Sequence, residues 1–376
     1  MTTLIDGSVL EGGGQILRNS ISLAALLGKP ISIHKVRNGR KPPGLKNQHR
    51  TGIELAAEIA SARLTGATNG STEVEFAPGR ITPGNYTADP VTAGAATLLL
   101  QISLPLLLFT PSATPSTLTL KGGTNATSAP QIDYIQRVFL PFATRHFGLK
   151  VDVDVRRRGY FPRGGGEVHV TVFPGADGAR LTSASVMERG TVTRIGGIAH
   201  IAGLPGHLGR TMAEGATRRL AQRGFAPDAA VPVPVEIESR REKNENTVGA
   251  GSGIVLWAEL AGGGVIGGSA VGRKGADAVT VGEEAANELI NGLEADGCVD
   301  EWLQDQIIIF MALAEGTSEV RCGKDGLTLH TRTAIWVAEQ LTDAKFDVTV
   351  EDSGHTIIRC TGIGYTAPTD SDLSNK

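Results

Sequence analysis

Residues 3–36 read TLIDGSVLEGGGQILRNSISLAALLGKPISIHKV, and this stretch sets the fold. The segment TLIDGSV has strand character and runs into a glycine turn over 10–14. A helix follows over about 15–27, because Ile16, Leu17, Ile21, Leu23, Ala24 and Leu27 recur at roughly the helical period. Gly28 and Pro30 supply the stop, and ISIHKV reads as a second strand. The same strand–helix–strand order returns twice. LTLKGGTN (118–125) precedes a helix over about 131–146 and the strand LKVDVDV (149–155). LTLHTRT (327–333) precedes a helix through Ala334, Ile335, Ala338 and Leu341, then FDVTV (346–350). The long, irregular period argues for repeated α+β modules and against a solenoid.

The stretch 191–268 breaks this rhythm. It has its own strand, a helix over about 208–223, the Pro-, Val- and Glu-rich VPVPVEIESRREKNENTVG (231–249), and the strands GIVLWAEL and GVIGGSAV. We therefore expect a large repeat domain over 1–187 and 278–365. A smaller α/β domain is inserted at 188–277, and a polar, disordered tail follows at 366–376.

Composition bounds the function. The 376 residues are 40% hydrophobic and 20% charged, with a net charge of −3, so a sizeable core is available and global disorder is excluded. The 49 glycines are nearly twice the roughly 7% average share, while aromatics are only 5%. Cys298, Cys322 and Cys360 are scattered, with no CxxC or Cys/His cluster, which argues against structural zinc and a disulfide framework. No signal peptide is expected. AGAATLLLQISLPLLLF (93–109) approaches a membrane span in length. It contains Gln101, Ser103 and Pro105 and lacks basic flanks, so it reads as a buried helix ending near Pro105 and then a buried strand.

The informative charge is local. Between Gly12 and Ile53 there is no Asp or Glu, yet Arg18, Lys29, Lys35, Arg37, Arg40, Lys41, Lys46, Arg50, His34 and His49 all fall there. The run is interrupted by Gly39, Pro42, Pro43 and Gly44. A rigid loop presenting guanidinium groups suits phosphate better than a plain solvated face. A second cluster, 156–166 (RRRGYFPRGGG), could stack on RNA bases, or could be a hairpin with simply exposed arginines.

The glycines after Glu11 leave backbone amides free at a helix start, where phosphate is favoured. Neither GxxxxGK[ST] nor GxGxxG is present. Glu11 could hold Mg²⁺ against phosphate oxygens, or only cap the turn. In DEWLQDQ (300–306), Asp300 and Glu301 fit a helix N-terminus. Asp305 and Gln306 lie further into apolar sequence and need partners. His330 ends the predicted strand LTLH and opens a helix, where a neutral imidazole can act as a nucleophile or can be structural.

The segments DGSVLEGGGQILRNSISL, KVRNGRKPPGLKNQH, LKGGTNATSAPQIDY, RRGYFPRGGGEV, VDEWLQDQ and LTLHTRTA together resemble the RNA 3′-terminal phosphate cyclase family, on its eukaryotic-like branch. The resemblance implies three α+β modules, similar to the C-terminal domain of translation initiation factor three and to the enolpyruvyl transferases, with a smaller inserted domain. It implies ATP-dependent conversion of an RNA 3′-phosphate to a 2′,3′-cyclic phosphodiester, releasing AMP and diphosphate. His330 matches the family's adenylated nucleophile. Gln101, Pro130 and the Trp302, Leu303, Gln304, Asp305 and Gln306 segment match its ATP-binding stretches. Pro130 and Trp302 would flank the adenine, with Trp302 where tyrosine is usual. Arg18, Arg37, Arg40 and His49 match a pocket for ATP and RNA phosphates, and Glu11 a residue near Mg²⁺ or Mn²⁺. The resemblance implies a nuclear or cytoplasmic protein with RNA as partner and no membrane. A non-catalytic cyclase-like factor in pre-rRNA processing is the alternative, disfavoured by His330.

Overall fold

The computed structural model describes residues 1–175, 179–226, 229 and 232–368. Three modules share one order: strand, helix, strand, helix and a closing strand pair. The first uses strands Thr3–Asp6, Ile31–His34, Arg63–Thr65 and Val74–Ala77, with helices Gly14–Leu27 and Asn47–Ile59. The second uses strands Asn85–Ala88, Ser116–Gly122, Lys150–Gly159 and Gly166–Phe173. Its helices are Ala96–Leu108 and a composite one running from Ile132 to Phe147. The third uses strands Ser185–Val186, Thr317–Arg321, Lys345–Val350 and Thr356–Thr361, with helices Glu301–Leu313 and Leu329–Leu341.

In each sheet the first and second strands pair in parallel, the fourth lies beside the second, and the third lies outside the fourth; in the second sheet the short strand Thr247–Val248 from the insertion adds to that edge. One topology repeated three times is what the recurring strand–helix–strand pattern encodes. The helices pack on one another in a shared apolar core that includes Ile16, Ile21, Leu99, Phe142, Ile308 and Val337. Gly28, at φ 64°, ends the first helix in the left-handed conformation that glycine adopts without strain.

The third module is interrupted. Between Ser185–Val186 and Glu301–Leu313 lies a fourth sheet, ordered Val235–Arg241, Val192–Ala202, Gly251–Leu260 and Val265–Val271. Helices His207–Ala221 and Ala278–Glu294 pack on it around a second core with Ile195, Met212, Leu256 and Leu289. The latter helix lies beyond the expected boundary at 277, yet its apolar face packs into the core of the inserted sheet.

Two local expectations are corrected. The helix Ala96–Leu108 runs through Pro105, and no strand follows directly. It is buried nearly all round, so packing outweighs the lost amide donor, and the Ser103 hydroxyl donates to the Leu99 carbonyl at 2.8 Å. LTLH is not a strand: Thr328 caps the helix Leu329–Leu341, its hydroxyl accepting from the Thr331 amide at 3.0 Å. Of the expected disordered tail, residues 369–376 lie outside the described residues. Cys298, Cys322 and Cys360 are buried and unbridged. Among the described residues no helix is long and apolar enough to cross a membrane.

Candidate functional site

The acid-free run delivers Arg18, Arg37, Arg40, Lys46 and His49 to one place. A cavity of about 610 Å³ opens where the first helices of the three modules converge. Glu11, Arg18, Arg37, Arg40 and His49 line it from the first module, Gln101 and Pro130 from the second, and Trp302, Asp305 and His330 from the third. Leu303, Gln304 and Gln306 do not line it. Leu303 is buried in the core, Gln304 accepts from the Thr331 hydroxyl at 3.3 Å, and Gln306 donates to the Trp302 carbonyl at 2.7 Å.

The glycine turn is shaped by its neighbours. A side chain on Gly13 would fall 2.2 Å from the Glu11 carboxylate, and one on Gly14 would fall 2.7 Å from the Arg18 guanidinium. Backbone amides thus sit beside the cations at the start of helix Gly14–Leu27, the arrangement that favours phosphate. The Glu11 carboxylate accepts from Arg40 at 2.9 Å, and its amide donates to the Thr333 hydroxyl at 3.1 Å. His330 Nε2 stands 3.8 Å from Glu11 Oε1, so residues from opposite ends of the chain meet here.

Several buried polar atoms in the lining lack a partner: Glu11 Oε2, Gln15 Nε2, Arg18 Nε and Gln101 Oε1. Each such atom costs about 1–3 kcal/mol when left dry, so a cluster of them fits a site completed by a polar ligand.

The protonation states suit an anion as well. Burial first, then the charges of Arg18, Arg37 and Lys46, push the His49 pKa down to about 3. Its Nδ1 accepts from the Lys46 amide at 3.2 Å, so the ring proton sits on Nε2 and can be donated. Burial also lowers the His330 pKa, with Glu11 opposing and Arg18 and Arg40 reinforcing. The imidazole is therefore neutral and keeps a nucleophilic lone pair near pH 7. Burial pushes Asp305 up to about 7 against the pull of Arg18.

Asp300 is a helix cap, as the sequence suggested. Its carboxylate accepts from the Trp302 and Leu303 amides at 2.9 and 2.8 Å, and from the Tyr134 hydroxyl and Gly267 amide, each at 2.7 Å. Trp302 donates through Nε1 to Glu288 at 2.7 Å, which fixes the indole at the cavity edge.

Lys46, Gln48, Ser128, Glu301 and Thr328 also line the cavity and were not singled out as site residues. Lys46 and Gln48 sit within or beside the charge run. Glu301 and Thr328 carried only a helix-end signal.

The expected hairpin is present between Lys150–Gly159 and Gly166–Phe173, with Arg156 and Arg163 exposed, but one arginine of the cluster departs from both sequence readings. Arg158 is neither at solvent nor free for RNA. It is 2% exposed and grips Asp133 with two hydrogen bonds of 2.7 Å, and it donates to Glu242 at 2.8 Å. Asn125, Gln131, Tyr160 and His200 complete the buried network, with Tyr160 OH 2.8 Å from His200 Nδ1 and Gln131 Oε1 2.9 Å from His200 Nε2. The network joins the inserted sheet to the loop carrying Ser128 and Pro130 into the cavity.

Fold and site together define an α+β protein of three repeated modules, with a cationic cavity shaped for a polyanion and a neutral histidine at its wall. The family model described as RNA 3′-terminal phosphate cyclase matches residues 9–348, and the chain belongs to that family of ATP-dependent, ligase-type enzymes. It is 40% identical to the RNA 3′-terminal phosphate cyclase of Pyrobaculum aerophilum, over 97% of this chain and 99% of that protein. The Drosophila melanogaster protein of the same name is 40% identical over 96% of each chain. The Thermococcus kodakarensis one is 39% identical over 92% of this chain and 94% of its own.

Proposed function

We propose that the chain converts RNA 3′-phosphate ends to 2′,3′-cyclic phosphodiesters with ATP, through a covalent adenylate on His330. A neutral His330 ring nitrogen attacks the α-phosphorus, the phosphoramidate bond forms, and diphosphate leaves. The RNA 3′-phosphate then displaces the histidine and takes the adenylyl group, giving an RNA–(3′)pp(5′)A end. Finally the neighbouring 2′-hydroxyl attacks the 3′-phosphorus, loses its proton, and expels AMP.

The intermediate has a physical rationale. A phosphate monoester dianion is a poor electrophile with a poor leaving group, and adenylylation supplies a good one. The 2′-hydroxyl then reacts intramolecularly, which is worth orders of magnitude in rate. Arg18, Arg37, Arg40 and Lys46 neutralise charge on the phosphates, and His49 Nε2–H and the amides of Gly13 and Gly14 add donors. Pro130 and Trp302 offer faces for the adenine.

Among the described residues no group of three or more His, Cys, Asp or Glu side chains forms a dedicated metal nest. One carboxylate with a free oxygen, Glu11 Oε2, fits Mg²⁺ or Mn²⁺ carried in by the triphosphate, since such ions take few protein ligands and many phosphate and water oxygens. A bound ion would supply further neutralisation of phosphate charge.

The observation that carries this reading is His330, half-exposed, in the same cavity as the four cations. Incubation with α-labelled ATP and Mg²⁺ or Mn²⁺ should give an acid-labile protein–AMP adduct, lost in His330→Ala. Persistence of the label in that variant would refute the assignment. Absence of any adduct in the natural protein would favour the non-catalytic alternative.

A further inference from the structure

The motif RGYFPRGGG (158–166) holds more than its buried network uses. It forms the turn between strands Lys150–Gly159 and Gly166–Phe173. Tyr160, 3% exposed, anchors one side, and the Gly164 amide closes the turn on the Tyr160 carbonyl at 2.8 Å. Gly164, at φ 63°, packs so tightly on the next segment that an added Cβ would lie 2.6 Å from the Thr92 carbonyl oxygen and 2.8 Å from Ala93 Cα. Ala93 is a wall of the catalytic cavity. This heavily braced turn therefore stands directly on the cavity rim.

Its tip is the opposite of its base. Phe161 is 82% exposed. Arg156, Arg157 and Arg158 are each matched by a carboxylate, from Asp154, Glu167, and Asp133 with Glu242. Arg163 is exposed and makes no ion pair or hydrogen bond among the described residues. In the segment on which the turn packs, Val91 is 84% exposed at φ 57°, a strained conformation for a β-branched residue. An exposed aromatic ring on a rigid support offers a flat face for stacking.

We infer that the turn 160–165 is a landing platform for the single-stranded RNA just upstream of the reacting 3′ end. Phe161 offers a face on which a base stacks, and Arg163 takes a backbone phosphate. Stacking of unpaired bases on aromatic rings, with arginine on the phosphates, is how proteins hold single-stranded RNA without reading its sequence. A 3′ end lodged in the cavity must lead its upstream nucleotides out over the rim. This inference rests on the proposed RNA chemistry for its substrate, but the surface can be tested without catalysis.

The test measures binding of a fluorescent 3′-phosphorylated oligoribonucleotide, KM for that oligonucleotide and for a nucleoside 3′,5′-bisphosphate, and protein–AMP formation from ATP alone. Phe161→Ala should weaken oligonucleotide binding and raise its KM about 5- to 10-fold, the low end for loss of one stacked base. KM for the bisphosphate, which has no upstream base, should not change. Phe161→Trp should restore binding. Arg163→Ala should lower the slope of log affinity against log salt by about 0.7, the value for one single-strand phosphate. Neither alanine variant should alter protein–AMP formation. Unchanged oligonucleotide affinity in both would overturn the inference, as would a parallel loss of adenylylation, which would make the turn a mere support for the nucleotide pocket. Failure of the natural protein to adenylylate, with RNA binding still sensitive to Phe161, would sink the proposed chemistry and leave the platform standing.

Discussion

Replacing Asp133 with Asn tests whether the buried network holds the inserted sheet to the catalytic modules. Asp133 and Arg158 are 1% and 2% exposed and share two hydrogen bonds of 2.7 Å. Burial alone would raise the Asp133 pKa, but the Arg158 charge and its hydrogen bonds outweigh this and hold the carboxyl well below its usual range. The amide would keep the shape and remove the charge, leaving a desolvated guanidinium facing a neutral group. Breaking such a pair from one side costs about 3–5 kcal/mol. Glu242 still accepts from Arg158 Nε, so the lower end, about 3 kcal/mol, is expected. That is a large share of the roughly 5–15 kcal/mol that stabilises a typical domain. The assay is urea unfolding followed by tryptophan fluorescence, since Trp257 and Trp302 lie on either side of the junction. Because the folded pKa is depressed, the contribution is present above the unfolded value near 4 and is lost as pH falls below it. The difference between the two proteins should stay flat from pH 8 to 5 and shrink in stronger acid. A loss under about 1 kcal/mol at pH 7 would refute the reasoning.

Two further outcomes follow from the cavity's edges. Burial raises the Glu288 pKa from 4.5 to about 7, so this group favours the folded state least when ionised. Relative to Glu288→Gln, the natural protein should lose up to about 3 kcal/mol of stability as pH rises from about 4.5 through 7; a pH-independent difference in melting temperature would contradict this. Arg40 is half-exposed and Arg37 is 8% exposed, donating to the Gly44 carbonyl at 2.8 Å. Arg40→Ala should slow adenylylation at least about tenfold with melting unchanged, whereas Arg37→Ala should also lose about 1–2 kcal/mol by unseating the 38–44 loop; equal melting of the two would show that Arg37 is not a prop.

Much of this molecule is legible in the chain because its signals are local. The helical period of 15–27, the glycine stop at 28 and the acid-free run to Ile53 each need only neighbouring residues to interpret. The misreadings share a cause. Arg158 looks like surface charge because its partners, Asp133 and Glu242, are distant in sequence. Pro105 looks like a helix end because the burial that overrides it comes from other modules. LTLH looks like a strand because three alternating residues outweigh one capping threonine. Leu303, Gln304 and Gln306 came along with Trp302 and Asp305 as a segment. On the helix, positions 301, 302 and 305, spaced three and four apart, share the cavity face, and 303, 304 and 306 turn away.

The cavity joins Glu11 to His330, and the module that carries His330 pairs its strand at 317–321 with 185–186 across the whole intervening sheet. A nascent chain emerging from the ribosome thus carries Arg18, Arg37, Arg40 and His49 long before it carries His330. On the proposed chemistry, no truncated product ending ahead of residue 330 should adenylylate itself, and self-labelling by ATP would report translation through the last module.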